Sequence, residues 1–274
     1  MASTDFWYAD PEFRLALHAA APGLHRYDRH SHDEYSIILV TGGAKVLRVG
    51  PAVLRVAPGQ IVIVSPGLSH DCEPLDDTAW SHRCWYVSAA LAAEITGDAR
   101  FATAPPKLRP VTDAPDLARA LVAAHRAASE DRSVDREQSQ LLLLARALEG
   151  AKVDRHDDEV AHNAAARRFP SYLSMIRDQM TDGLDLDALA DEIGVSRFQV
   201  IRDIKATSNM TPSNLLRDIR LREAKRLMRM NVPSSEVSQL TGFADQSHFQ
   251  RVFKGSYAIT PGTYRVGTKF AETG

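Results

Sequence analysis

The most constraining feature of this sequence is a repeat in its last hundred or so residues. Shifting the chain by 49 positions places Arg202 on Arg251, Ile204 on Phe253, Lys205 on Lys254, Met210 on Ile259 and Thr211-Pro212 on Thr260-Pro261. Upstream the offset is 48 and Gly194 meets Gly242, the one-residue difference falling in a turn. Self-similarity of this kind marks one supersecondary unit written twice. The matched positions are caps, turns and basic residues, and each unit reads as helix, Gly-containing turn, capped helix, then a Thr-Pro pair opening another helix. That is a helix-turn-helix.

The punctuation around the repeat predicts about seven helices. Pro170 or Ser171 opens a helix that Gly183 closes, Asp185 caps Leu186 to Glu192, and Gly194 ends it. Ser196 with Gln199 forms a capping box. Thr211-Pro212 starts a long helix to about Met230. Ser234 caps a short helix ending at Gly242, and Asp245 caps another through Tyr257. In a helix-turn-helix the second helix enters the major groove, where Arg and Gln reach base edges and Lys or backbone N–H groups meet phosphates. Arg197, Arg202 and Lys205 suit that role in the first unit; Gln246, Ser247, Gln250, Arg251 and Lys254 suit it in the second. In each unit the arginine lies six positions past the N-cap and the lysine three further, on one helix face.

A net charge of −2 over 274 residues would not suggest a nucleic-acid partner. Its distribution does. Residues 170–274 are net +2 against −4 for the rest, and Arg197 to Arg229 holds nine Lys and Arg against three acidic residues.

LADEIGVSRF (Leu189 to Phe198), Met210-Thr211-Pro212, IRLREAKRLM (Ile219 to Met228), GFADQSHFQRVFK (Gly242 to Lys254) and ITPGTYR (Ile259 to Arg265) together resemble the AraC/XylS family of bacterial transcription regulators, over about residues 171–267. The resemblance implies two helix-turn-helix units joined by the helix Pro212 to Met230, reading successive major-groove faces about 34 Å apart. It implies that Arg197, Phe198, Ile201 and Arg202 face the groove from the first unit and Gln246, Ser247, Gln250 and Arg251 from the second. Four departures bear on this. Asn209 and Ala258 stand where the family has a left-handed Gly, Asp203 sets a negative charge among the basic residues of the first reader, and Pro233 moves a cap to Ser234. With Ile201 offering only apolar contact, the second reader is expected to carry more hydrogen-bonded base discrimination.

The first half has another rhythm. Glu34 to Val40, Ala44 to Val49, Ala52 to Val56, Gln60 to Val64 and Trp80 to Val87 are short β-rich runs punctuated by Gly42-Gly43, Gly50-Pro51, Pro58-Gly59 and Pro66-Gly67, the pattern of a small antiparallel barrel. Asp116 to Ser129 and Arg136 to Glu149 are helical, and Leu141 and Leu144 could present a dimer face. The expected fold class is therefore α+β and multidomain: a cupin-like β-barrel over 1–105, a helical dimerisation or packing segment over 106–150, a linker over 151–169, and an all-α domain over 170–270 with helix-turn-helix motifs at about 186–206 and 234–257.

Arg29-His30-Ser31-His32-Asp33-Glu34-Tyr35 and Pro66-Gly67-Leu68-Ser69-His70 resemble the cupin-type effector domain of such regulators, which makes His30, His32, Tyr35, His70 and Trp85 candidate effector contacts. Enzymatic cupins hold a metal with a His-x-His pair, a Glu and a later His, here His30, His32 and His70. Glu34 sits closer to His32 than that pattern prefers, so these histidines are read as structural or effector-contacting in preference to metal ligands. No cofactor is required.

The expected function is a sequence-specific DNA-binding regulator answering to a small molecule in the barrel, not an enzyme; the alternative is a cupin metalloenzyme fused to a DNA-binding domain. No Gly-x-Ser-x-Gly elbow, phosphate loop or His-Glu-x-x-His occurs in the sequence. Double-stranded DNA, a small-molecule effector and a second copy of the chain are the expected partners, with RNA polymerase a candidate. No apolar run approaches the 18 residues of a membrane span. Asp5 and Asp10 replace the basic start of a secretory signal, and two cysteines, Cys72 and Cys84, make no disulfide framework. A cytoplasmic location is expected.

Overall fold

A computed structural model describes residues 4–9, 12–103, 106, 108–130, 134–153 and 164–267. Among these residues, the N-terminal half is built on two antiparallel sheets. One has six strands in the order β1 (Thr4–Tyr8), β2 (Leu15–Gly23), β9 (Trp80–Val87), β4 (Tyr35–Gly42), β7 (Gln60–Val64) and β10 (Val111–Asp113). The other has four: β3 (Tyr27–His30), β8 (His70–Pro74), β5 (Lys45–Val49) and β6 (Ala52–Val56). The sheets share no strand, so the cupin-like unit is a two-layer jelly roll rather than one continuous barrel. All five anticipated strands are present. β1, β2, β3, β8 and β10 were not read from the sequence; β2 is alanine-rich, which disfavours a strand, and holds its form because β1 and β9 pair with it on both sides.

Side chains alternate between two cores, as the period of a strand requires. Val40, Val62, Val64, Leu47 and Trp80 pack between the sheets. Tyr35, Ile37, Leu39, Trp85 and Val87 point the other way, into a core closed by helices α1 (Ala89–Thr96), α2 (Arg100–Thr103), α3 (Pro115–Glu130) and α4 (Val134–Gly150). The expected helical segment over 106–150 is thus not separate from the β unit. It contributes β10 to the larger sheet and buries Leu117, Leu121, Leu144 and Leu148 against it. Leu144 is fully buried and Leu141 only half-exposed, so neither presents the dimer face anticipated for them; Leu142, 73% exposed, does face outward.

Seven helices follow among the described residues: α5 (Ala164–Asp178), α6 (Leu186–Ile193), α7 (Arg197–Ser208), α8 (Pro212–Arg229), α9 (Ser234–Leu240), α10 (Gln246–Tyr257) and α11 (Pro261–Gly267). Asp185, Ser196, Thr211 and Asp245 cap their helices through side-chain oxygens, as expected. Two expectations fail. α5 begins at Ala164, inside the span assigned to a linker, and carries Pro170 in its interior. The missing Pro170 N–H forfeits one helical bond, and Ala165, Tyr172 and Ile176, buried on that helix, offset the loss. At α9 the N-cap is Pro233 without a side-chain bond, and Ser234 lies inside the helix. Linker residues 154–163 lie outside the described residues. Asn209 and Ala258 both adopt the left-handed conformation, φ 55° and 56°; for Ala258 this costs about 1–2 kcal/mol.

The first helix-turn-helix packs around Tyr172, Leu189, Val200, Ile204, Leu215 and Ile219. The second packs around Leu221, Met228, Val237, Phe249 and Phe253, joined by Tyr8 and Ala16 of the β unit. α8 supplies residues to both cores, and the two halves of the protein share the second one.

Candidate nucleic-acid interface and interdomain seam

Each reading helix divides cleanly. On α7, Val200, Asp203 and Ile204 are buried, spaced three and four apart on one face. Arg197, Phe198, Arg202 and Lys205 are exposed and Ile201 half-exposed. Phe198 is 77% exposed, the most exposed large apolar side chain among the described residues. Arg197 donates to Asp187 of α6 at 2.8 Å and Arg202 to Gln199 at 2.7 Å. On α10, Phe249, Phe253, Ser256 and Tyr257 are buried, while Gln246, Ser247, Gln250, Arg251 and Lys254 are all exposed. Every expected reading residue therefore lies off the core side of its helix.

Asp203 does not sit among them, contrary to expectation. It is buried, 2% exposed, and accepts from Arg168 Nε at 2.7 Å, Tyr172 Oη at 2.9 Å and Gln199 Nε2 at 2.6 Å. Burial would raise its pKa, but these donors hold the carboxyl below its usual range. The carboxylate pins α5 to α7 and leaves the first reader's outer face without an acid at that position. Gln199 is thereby diverted from the reciprocal half of the capping box.

Part of the basic segment also has a different job. Asp218, Arg222, Lys225 and Arg229 recur at four-, three- and four-residue steps along α8, one helix face, and that face meets the β unit. Ser31 N and Oγ donate to Asp218 at 2.7 and 2.6 Å. Arg222 donates to Asp33 at 2.7 Å, and Lys225 and Arg229 donate to Glu34 at 3.1 and 3.2 Å. Burial opposes the Glu34 charge, yet Lys225 and Arg229 carry its pKa below the ordinary carboxylate value. For Asp218 burial wins over Arg222 and Ser31, and its pKa is raised. Arg220 donates to the Met180 carbonyl at 2.9 Å. The charge concentration read as a DNA-facing stripe is thus shared between the reading helices and an internal seam.

The seam also touches the C-terminal ends of both readers. Ser69 Oγ donates to Ser208 O at 2.5 Å, Asn209 Nδ2 donates to Gly50 O, and Arg29 donates to Asn209 O at 3.3 Å. On α10, Gly255 faces Asp28 of the β unit: a Cβ there would come within 2.6 Å of Asp28 Oδ2 and oblige that carboxylate to shift.

Behind the seam His30, His32 and His70 converge, each buried. His32 and Tyr86 separate two small cavities. One lies inside the β unit, bounded also by Lys45, Cys72, Trp80 and His82; the other lies between the halves, bounded by Phe6, Lys225, Tyr257 and Tyr264. Each is ≈ 20 Å³, room for about one water. Tyr35 and Trp85, expected among the effector contacts, line neither: Tyr35 donates to Phe101 O at 2.9 Å and Trp85 lies in the helix-covered core. Residues that do line the cavities and escaped sequence reasoning include Lys45, Lys225 and Tyr257. A wider cleft of ≈ 380 Å³ opens at the seam, lined by Asp33, Arg177, Ile219, Arg222, Glu223, Arg226 and Arg229.

Comparison with known proteins places both halves. Residues 13–146 match the family model of an AraC-like ligand binding domain and residues 189–266 that of a helix-turn-helix domain. The chain is 24% identical over 247 residues to the uncharacterized HTH-type transcriptional regulator YbfI of Bacillus subtilis, covering 87% of each protein. It is 29% identical over 104 residues to the HTH-type transcriptional activator RhaS of Escherichia coli, covering 38% of this chain and 37% of that one. Among solved structures, ToxT from Vibrio cholerae O395 aligns over 98% of both chains with a TM-score of 0.52 at 12% identity. A form of ToxT bound to an unsaturated fatty acid aligns over 97% of this chain and 94% of that one, also with a TM-score of 0.52 and 12% identity.

Proposed function

The chain belongs to the AraC family of transcriptional regulators, with a ligand-binding domain ahead of a helix-turn-helix domain, and from that premise we propose that it is a homodimeric regulator whose effector acts by reseating the β unit on α8. Arg197, Phe198, Ile201, Arg202 and Lys205 meet DNA from the first reader, and Gln246, Ser247, Gln250, Arg251 and Lys254 from the second. The observation that carries this reading is the division of α7 and α10 into a buried apolar face and an exposed face holding the candidate reading residues.

The seam supports the regulatory half of the proposal. Contacts at Ser208, Asn209, Asp218 and Gly255 tie the β unit to both readers, so an effector that favours one seating alters how both are presented. The ≈ 380 Å³ cleft beside Arg222 has the volume of a small-molecule site. Its four guanidinium groups against two carboxylates suit an effector carrying a carboxylate or phosphate. The cavity inside the β unit has room for about one water, which favours a regulator over a cupin metalloenzyme. RNA polymerase is the proposed further partner and the cytoplasm the proposed location.

Selection of bound DNA from a random pool, repeated with Arg251→Ala, tests the reading. The expected result is a preferred sequence that loses discrimination at one base position by about 1–3 kcal/mol in the variant. A uniform loss on every sequence, with a smaller salt dependence, assigns Arg251 to phosphate; no preferred sequence at all overturns the proposal.

A further inference from the structure

One inward position of the smaller sheet breaks the pattern of its strand. Along β5, buried Lys45, Leu47 and Val49 alternate with partly exposed Val46 and Arg48. By strand parity Lys45 therefore points with Leu47 and Val49 into the core between the sheets, where a lysine is out of place. It is 1% exposed. Among the described residues its Nζ makes no hydrogen bond and no ion pair; what it meets is the face of Trp80, 4.6 Å from the ring centre. Asp71 and Glu73 of β8, the strand paired with β5, turn to the other side of the sheet and are held there by Arg26, Arg29 and Arg48. A buried ammonium with no counter-charge costs more than a contact with an aromatic face returns.

Lys45 borders the ≈ 20 Å³ cavity inside the β unit, and no carboxylate lines that cavity among the described residues. The other titratable groups around the ammonium are neutral near neutrality. Burial pushes the Cys84 thiol up to about 12, raises Cys72, and holds Tyr27 well above 10 and His82 well below 6.5. The chamber thus carries one positive charge and no negative one.

We infer that this cavity binds one small monovalent anion of the halide class, chloride foremost, paired with the Lys45 ammonium. The volume selects the ion: room for about one water admits a monatomic anion and excludes phosphate, sulfate or an organic carboxylate. The donors suit it. The ammonium offers three N–H groups, none of them spent on the protein. His82 stands 3.3 Å from the Tyr27 hydroxyl through Nε2, and its buried Nδ1 has no partner; with Tyr27 donating, Nδ1 carries the ring proton and is a second donor. Ile38, Leu47 and Trp80 wall the chamber, so the attraction between ion and ammonium is little screened. The site lies inside the β unit, apart from the cleft beside Arg222, and goes beyond the function proposed above without depending on it.

The test is thermal unfolding of the full chain titrated with sodium chloride at fixed ionic strength, gluconate making up the balance. The melting temperature of the parent should rise by about 2–5 °C for each tenfold increase in chloride beyond the dissociation constant. Bromide should act likewise and sulfate should not. Lys45→Met keeps the reach of the side chain and removes its charge. It should melt at a temperature independent of chloride, and in chloride-free buffer no lower than the parent, because an uncompensated buried charge is gone. Crystals of the parent soaked in bromide should show the anomalous signal of the ion in the cavity beside Lys45 Nζ, a reading that holds however the variant folds. A melting temperature unmoved by chloride, a rise shared by sulfate or by Lys45→Met, or a cavity without bromide overturns the site.

Discussion

Ser31 and Asp218, 187 residues apart, are joined by two hydrogen bonds: the Ser31 backbone N–H reaches Asp218 Oδ1 at 2.7 Å and its hydroxyl reaches Oδ2 at 2.6 Å. One residue of the β unit, through its backbone N–H and its hydroxyl, thereby satisfies both oxygens of a carboxylate buried on the helix that links the two helix-turn-helix units.

Ser31→Ala keeps the backbone donor and removes the other. With Asp218 2% exposed, the freed oxygen has little water to turn to, and a loss of about 1–3 kcal/mol is expected. Thermal unfolding measures it. A melting curve identical to the parent's would mean that the two halves do not dock through this pair.

Asp203→Ala tests whether the first reader is free of an acid on its outer face. Removing the carboxylate strands Arg168, Tyr172 and Gln199, so stability should fall by about 2–3 kcal/mol while the base preference of the folded protein stays the same. Unchanged stability with an altered base preference would return Asp203 to the reading face.

Leu142→Glu addresses self-association. Leu142 and Val122 are exposed at 73% and 40%, whereas Leu144 is fully buried, so a charge at 142 challenges a partner without opening the core. Light scattering should show a dimer turning into a monomer with an unaltered circular dichroism spectrum. A mass that does not change removes this face from the interface.

Stability should fall steeply on acidification below neutrality. Burial pushes His18 down to about 3 and His70 and His125 down to about 4, and holds His30, His32 and His82 well below 6.5. Between those values and 6.5 the unfolded chain takes up protons that the folded one refuses. Their contribution is complete above about pH 6.5 and is lost as pH falls toward 4. Melting temperatures at about pH 7.5, 6 and 5 check this; a flat profile would mean that the imidazoles are reached by solvent.

The readers were legible because what fixes them is local. Ser196 and Asp245 set the starts of α7 and α10 from within three residues, and helical spacing from those caps orients Arg202 and Arg251. The same spacing places Asp203 beside Val200 and Ile204 on the buried face, a consequence that counting charges along the segment missed. Strand parity would likewise have moved Trp85 away from Trp80, His82 and Cys84, which line the cavity. The seam was not legible. Arg222, Lys225 and Arg229 look like any basic stripe until Asp33 and Glu34, some 190 residues earlier, are brought against them, and nothing in the local pattern of either segment announces the other. β2 escaped for the same reason, its alanines being strand only because of their neighbours.

α8 is one uninterrupted helix of 18 residues, about 27 Å long, and residues at its two ends belong to different cores. In the regulator proposed above it would work as a ruler: the gauge between the two grooves that one protomer can touch would be set when the chain folds, not when a signal arrives. What a signal can still change is whether the ruler is lifted free of its rest, and how two of them are laid end to end. Operators for this protein should therefore tolerate inserted base pairs between the half-sites of two protomers better than within either one.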